Sequence, residues 1–241
     1  MRHLNRQRQR TNLAAALVFA SLLGAGDSRA GSISSRDNLH ADQGGPGVLE
    51  DFESYIFLGS NPSHLEVSII DDDTVAQGQG PGLVVPGIRI SANTEDYQWN
   101  PAGYTGSTSQ ELTASDDPFM TIDFLDPVAA VGIDLRAYTG IAHLALMQVF
   151  AANDVTVLGT ISAVPLSPTG EPVFFGWSHP AGIGKIVLNQ SGNAWSPLID
   201  NLEFYPIPEP AALIQACLVL ATLSLARRTL PKRRPQPRPC D

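Results

Sequence analysis

Residues 120–135 read MTIDFLDPVAAVGIDL. Met120, Ile122 and Phe124 alternate with Thr121 and Asp123, and Val131, Ile133 and Leu135 repeat the pattern. A period of two places every apolar side chain on one face of a strand. Asp126-Pro127 lies between the runs and predicts a turn joining two strands. The same reading extends outward. Leu65, Val67 and Ile69 sit two apart, and Leu83-Val84-Val85 and Ile88-Arg89-Ile90 flank Pro86-Gly87. Further apolar runs occupy 144–150, 155–161, 173–177, 185–188 and 198–204. About ten strand candidates at such spacings predict a sandwich or barrel. No stretch of 48–205 carries a helical period of useful length.

The 241 residues are 43% hydrophobic and 16% charged. That suits one globular domain with appendages and excludes collagen-like chains, coiled coils and disulfide scaffolds. Between residues 31 and 226 only Arg36, Arg89, Arg136 and Lys185 are basic, against 22 acids. Such a surface repels phosphate backbones, so nucleic acid is excluded as a partner of the central domain. Both cysteines, Cys217 and Cys240, lie near the C-terminus. The central domain therefore has no disulfide, thiolate zinc site or cysteine nucleophile.

The two ends read as targeting segments. Basic residues over 2–10, an apolar run over 13–23 and the small-residue site Ser28-Arg29-Ala30 match a secretory signal. Near the other end, Pro208-Glu209-Pro210 precedes an uncharged run over 211–226, then Arg227-Arg228 and a basic tail. As a helix that run spans about 24 Å, a little short of a ~30 Å hydrocarbon core. The basic tail orients the helix with the acidic domain outside.

These three parts in this order resemble the PEP-CTERM sorting signal of Gram-negative bacteria. The resemblance implies processing near Pro208-Glu209-Pro210 by an exosortase, a membrane cysteine transpeptidase, with Arg227 and Arg228 as the basic stop. The expected organisation is a signal peptide over 1–30, a linker over 31–47, a β-sandwich over 48–205 and a sorting signal over 206–241. The last comprises the motif 208–210, a transmembrane helix over 211–226 and a basic tail over 227–241. The expected partners are the secretion machinery, the exosortase and the membrane. The expected location is the cytoplasmic membrane, held by the C-terminal helix, before sorting, then the cell surface or the extracellular space.

Catalytic patterns are missing. There is no Gly-x-Ser-x-Gly, His-Glu-x-x-His or phosphate-binding Gly-Lys loop. His40, His64, His143 and His179 lack ligand spacing and read as surface histidines. No catalytic residue is assigned.

The opening residues 48–53 and closing residues 197–204 resemble the first and last strands of secreted jelly-roll domains related to carbohydrate-binding modules. Residues 174–178 followed by 186–188 resemble the strand pair before the last strand. The expected fold is thus all-β, a two-sheet antiparallel sandwich of jelly-roll type, flanked by an N-terminal signal helix and one C-terminal transmembrane helix. That resemblance implies a structural Ca²⁺ between the first and last strands, with Glu50, Asp51, Glu53 and Asp200 as the matching residues; the alternative is solvated carboxylates. Tyr97, Trp99 and Tyr104, in a polar Gly-, Asn- and Pro-bearing stretch, are candidates for a sugar platform, because aromatic faces pack on apolar sugar faces. The alternative is that Trp99 caps the core. Three functions follow as expectations. The first is a non-catalytic surface or matrix protein associated with exopolysaccharide. The others are a calcium-dependent glycan-binding module and an enzyme acting on polysaccharide.

Overall fold

The alternation at 120–124 builds a strand, but that strand does not end at Asp126-Pro127. The computed structural model describes residues 30–137, 143–166, 171–192 and 194–207. In it both runs belong to one strand, β8 (Phe119–Arg136). The runs at 173–177 and 185–188 likewise merge into β11 (Val173–Ser191). The other strands are β1 (Gly31–Ile33), β2 (Val48–Glu50), β3 (Ser63–Glu66), β4 (Ile69–Ile70), β5 (Ile88–Ser91), β6 (Asp96–Asn100), β7 (Glu111–Ala114), β9 (His143–Ala151), β10 (Val157–Leu166) and β12 (Leu198–Pro206). One helix, α1 (Arg36–Gln43), lies among them.

All pairings are antiparallel, and β8 and β11 each serve two layers. Residues 121–124 of β8 pair with β5, and residues 119–123 with residues 185–189 of β11. From Val128 onward β8 pairs with β12 and with the earlier half of β11. The first layer therefore runs β4-β5-β8-β11-β9-β10. The second runs β3-β6-β7-β12-β8-β11-β1, with β2 also on β12. The corner is where the β8–β11 ladder jumps from Asp123↔Lys185 to Val128↔Ile183. Pro127 lacks an N–H and sits in that gap, so it breaks no ladder bond. This corrects the expected turn: proline marks a corner of a sandwich here, not a hairpin.

Both layers feed one core. Ile90, Ile122, Ile186 and Val149 come from the first, and Trp99, Leu112, Leu135, Phe175 and Ile199 from the second. The antiparallel sandwich expected from the alternation is thus present, with one short helix added. Three local expectations are corrected. Leu83-Val84-Val85 is not a strand, although Leu83 and Val84 are buried. His143 is buried and bonded to the Ser191 carbonyl at 3.0 Å, so it is not a surface histidine. The expected linker over 31–47 carries β1 and α1.

That segment escapes a hydropathy scan because polar groups anchor it. Ser35 caps α1 by accepting from the Asn38 N–H at 3.2 Å, and Gly44 ends it in the left-handed conformation at φ 83°. Leu39 is the one buried apolar side chain of the helix, against Ala130, Tyr205 and Phe174. Glu203 of β12 then collects the segment's donors. It accepts from Arg36 at 2.7 Å, the Gly47 N–H at 2.6 Å and the Tyr205 hydroxyl at 2.8 Å, and meets His40 Nε2 at 2.9 Å. Burial pushes the Glu203 carboxyl up, but those donors outweigh it and hold it down at about 2.

The described residues up to Pro206 form one compact unit. Among the described residues no helix is long and apolar enough to cross a membrane. The expected signal helix and the segment from Pro208 through Arg228, including Glu209, Pro210 and Arg227, lie outside the described residues.

Candidate functional site

The expected aromatic platform does not form. Residues 96–100 are an inner strand between β3 and β7, so Tyr97 and Trp99, two apart, both turn into the core. Trp99 Nε1 donates to the Phe52 carbonyl at 3.0 Å, and its ring stacks on Tyr55 with centroids 5.4 Å apart. Tyr97 is equally buried, and burial pushes its hydroxyl pKa up. Tyr104 alone is open to solvent, at 51% exposure. The missed signal was the two-residue spacing of Tyr97 and Trp99, which was already that of a strand.

The four carboxylates matched to calcium divide into two pairs. Glu50 and Asp200 are buried and close enough for the Asp200 charge to act on Glu50. Asp51 and Glu53 are exposed. Glu50 already accepts the Phe52 and Val85 N–H groups, each at 2.6 Å. Asp200 accepts the Ser109 hydroxyl and the Asn201 N–H. Asp51 accepts the Glu53 N–H at 3.1 Å, and Glu53 accepts the Gln110 N–H at 2.7 Å. Among the described residues no three acidic, histidine or cysteine side chains are grouped to hold a metal. As placed, the four residues do not supply the six to eight oxygens of a calcium shell.

Glu50 ties the Phe52 and Val85 backbone together, while Asp200, through Ser109, joins Glu111 and Arg136 in holding the loop between β6 and β7. Glu111 faces Arg136 at 3.3 Å and accepts the Thr105 hydroxyl. Arg136 also donates to the Thr105 carbonyl at 2.9 Å. Burial pushes Glu50 up to about 7 and Asp200 up to about 6, and raises Glu111 as well. Perturbed carboxylates often mark active sites. These are buried and bonded to their own chain.

The open surface lies elsewhere, on the outer face of the first layer. Ile90, Ile122, Ile186 and Val149 form one cross-strand row, and all four are fully buried. The adjacent row, Arg89↔Asp123↔Lys185↔Phe150, must therefore point the other way. A further row on that outer side is Ser91↔Thr121↔Val187↔Gln148↔Thr160. Arg89 and Thr160 are exposed, and the remaining members of both rows, Ser91 included, are strand residues partly exposed to solvent. Phe119, on β8 next to this row, is 45% exposed.

The four basic residues of the domain are sorted by this arrangement. Arg36 pairs with Glu203 and Asp134, and Arg136 with Glu111. Among the described residues neither Arg89 nor Lys185 is in an ion pair, although both lie directly opposite Asp123. The Lys185 ammonium lies over the Phe150 ring, 4.9 Å from its centre. The signal in the sequence was Arg89 and Lys185 at polar positions inside otherwise apolar strands.

No protein-family model matches the chain, and no curated protein matches it. Among solved structures it is similar to the CBM22-1 xylan-binding domain of Paenibacillus barcinonensis Xyn10C. The identity is 10% and the TM-score 0.36, over 68% of this chain and 97% of that one. It is also similar to the K2 cleaved adhesin domain of Lys-gingipain, at 13% identity and TM-score 0.34, over 65% and 98%. A third is a carbohydrate-binding module of Cellvibrio mixtus lichenase 5A in complex with cellotriose, at 12% identity and TM-score 0.25, over 66% and 97%.

Proposed function

We propose that this protein is an exported, surface-displayed and non-catalytic polysaccharide-binding module, with the polysaccharide lying along the outer face of the first layer. One observation carries the reading. Two in-register rows cross the layer from β5 to β9 and present charged, hydroxyl, amide and aromatic groups on one open face. A pleated face fixes those groups at strand spacing, so binding a linear polymer there requires little ordering of the protein. Mixed apolar and hydrogen-bonding groups suit sugars, which offer apolar ring faces and hydroxyl rims.

Export and sorting rest on the two ends of the sequence. The reading has the secretion machinery translocate the chain and remove residues 1–30. An exosortase-type transpeptidase then acts near Pro208-Glu209-Pro210 while the helix over 211–226 holds the chain in the cytoplasmic membrane. The polymer met after release is exopolysaccharide. A non-catalytic role is supported by the burial of Glu50, Glu111 and Asp200, carboxylates with raised pKa values.

Co-sedimentation of the full-length chain, in detergent, with the host's extracellular polysaccharide tests the reading. Saturable binding without release of sugar is expected. Absence of binding, or steady release of reducing ends, overturns it.

A further inference from the structure

Resting on that reading, we infer that the polysaccharide held on this face is acidic, with carboxylate-bearing sugars alternating with neutral ones. Arg89, Asp123 and Lys185 sit on three adjacent strands in direct register. Neighbouring strands are about 4.8 Å apart, comparable with the advance of one pyranose ring along a chain. A polymer crossing the strands thus meets a cation, a carboxylate and a cation at successive sugars.

The charges on this row remain available to a ligand. Opposite charges directly across a ladder normally pair. Here neither cation comes within pairing distance of Asp123 among the described residues. Lys185 turns toward Phe150 instead, and Arg89 is exposed. The guanidinium offers a planar fork to a carboxylate, and the ammonium a mobile donor. Asp123 disfavours a carboxylate on the sugar between them and accepts hydroxyl hydrogens. The sequence of charges on the face is therefore the complement of acidic, neutral, acidic sugars.

At Asp123 the negative charge of Asp154 is felt, and Arg89 and Lys185 act against it across the ladder. The rest of the domain's negative charge is screened over about 8 Å at physiological salt. Attraction is therefore local, and it requires the polymer's carboxylates to match the positions of Arg89 and Lys185. A polymer with a carboxylate on every sugar would place one against Asp123.

The full-length chain is tested in detergent against three polymers by equilibrium binding. They are hyaluronan, in which a uronate alternates with a neutral sugar, polygalacturonate, in which every sugar is acidic, and neutral dextran. The expected order of affinity is hyaluronan, polygalacturonate, dextran. Arg89→Ala and Lys185→Ala are each expected to weaken hyaluronan binding about tenfold, with unchanged Tm. Asp123→Asn should raise affinity for polygalacturonate. Equal binding of dextran and hyaluronan, unaffected by the two cation variants, overturns the inference and leaves polysaccharide binding standing. Failure of all three polymers also overturns it, while the general reading is decided by the host's own polysaccharide.

Discussion

The Lys185 ammonium lies 4.9 Å from the centre of the Phe150 ring, across the β11–β9 ladder, rather than against Asp123 on the other side. This geometry fixes where the ring and the cation stand on the open face. An exposed cation–π contact contributes about 0.5–1 kcal/mol. Phe150→Ala should therefore change Tm by only a few degrees while lowering polysaccharide retention several-fold. A variant that unfolds in mild urea would instead make Phe150 a core residue.

Arg136 is the counter-charge of a buried acidic network, with Glu111 only 1% exposed. Removing one partner of such a pair costs about 3–5 kcal/mol, because the other stays buried and charged. Arg136→Met should lower the urea midpoint strongly, and adding Glu111→Gln should restore much of it. Additive losses in the double variant would contradict the pairing.

Gly132 makes room for α1. A Cβ there would stand 2.7 Å from Leu39 Cδ2 and equally near the Phe174 ring. Gly132→Ala should cost about 1–3 kcal/mol by overpacking. It should also raise hydrogen exchange selectively across 31–47. Unchanged protection there would show that the segment is docked by Glu203 alone.

Stability should fall on both sides of weakly acidic pH. Glu50 and Asp200 have folded pKa values of about 7 and about 6, above the ~4.3 and ~3.9 of free side chains. The folded state binds more protons there, so their contribution is complete below those free values and is lost as pH rises through 6 to 7. Glu203 is the opposite case, at about 2. Its contribution is present above its free value and lost as pH falls toward 2. Tm against pH should show a maximum near pH ~4 and fall steadily from there to about 7, and Glu50→Gln should flatten that descending limb. A Tm that climbs from pH 6 to 8 would contradict this.

The placement of Glu50, Asp51, Glu53 and Asp200 predicts a Tm that is the same in excess Ca²⁺ and in chelator. A calcium-dependent rise would mean that Asp51 and Glu53 swing in to join the buried pair.

The sandwich was legible wherever alternation was strict, as at Met120, Ile122 and Phe124. The corner was not, because Asp126-Pro127 has the composition of a turn, and only the partner strand's register decides between the two. The segment at 31–47 was illegible for a different reason: Glu203, distant in sequence, gathers Arg36, His40 and Gly47. The aromatic site was misplaced because Gly, Pro and Asn around Trp99 suggested a loop. Arg89 and Lys185 were visible as rare cations, but their juxtaposition arises only from the pairing of β5, β8 and β11.

The central claim is that the outer face of the first layer binds polysaccharide. Its most direct test compares binding isotherms of the full-length wild type and Val187→Asp on the host's extracellular polysaccharide. Val187 is half-exposed in the middle of that face, so the change leaves the core intact. The account predicts saturable binding by the wild type and its loss in the variant at equal Tm. Equal binding by both proteins would contradict it.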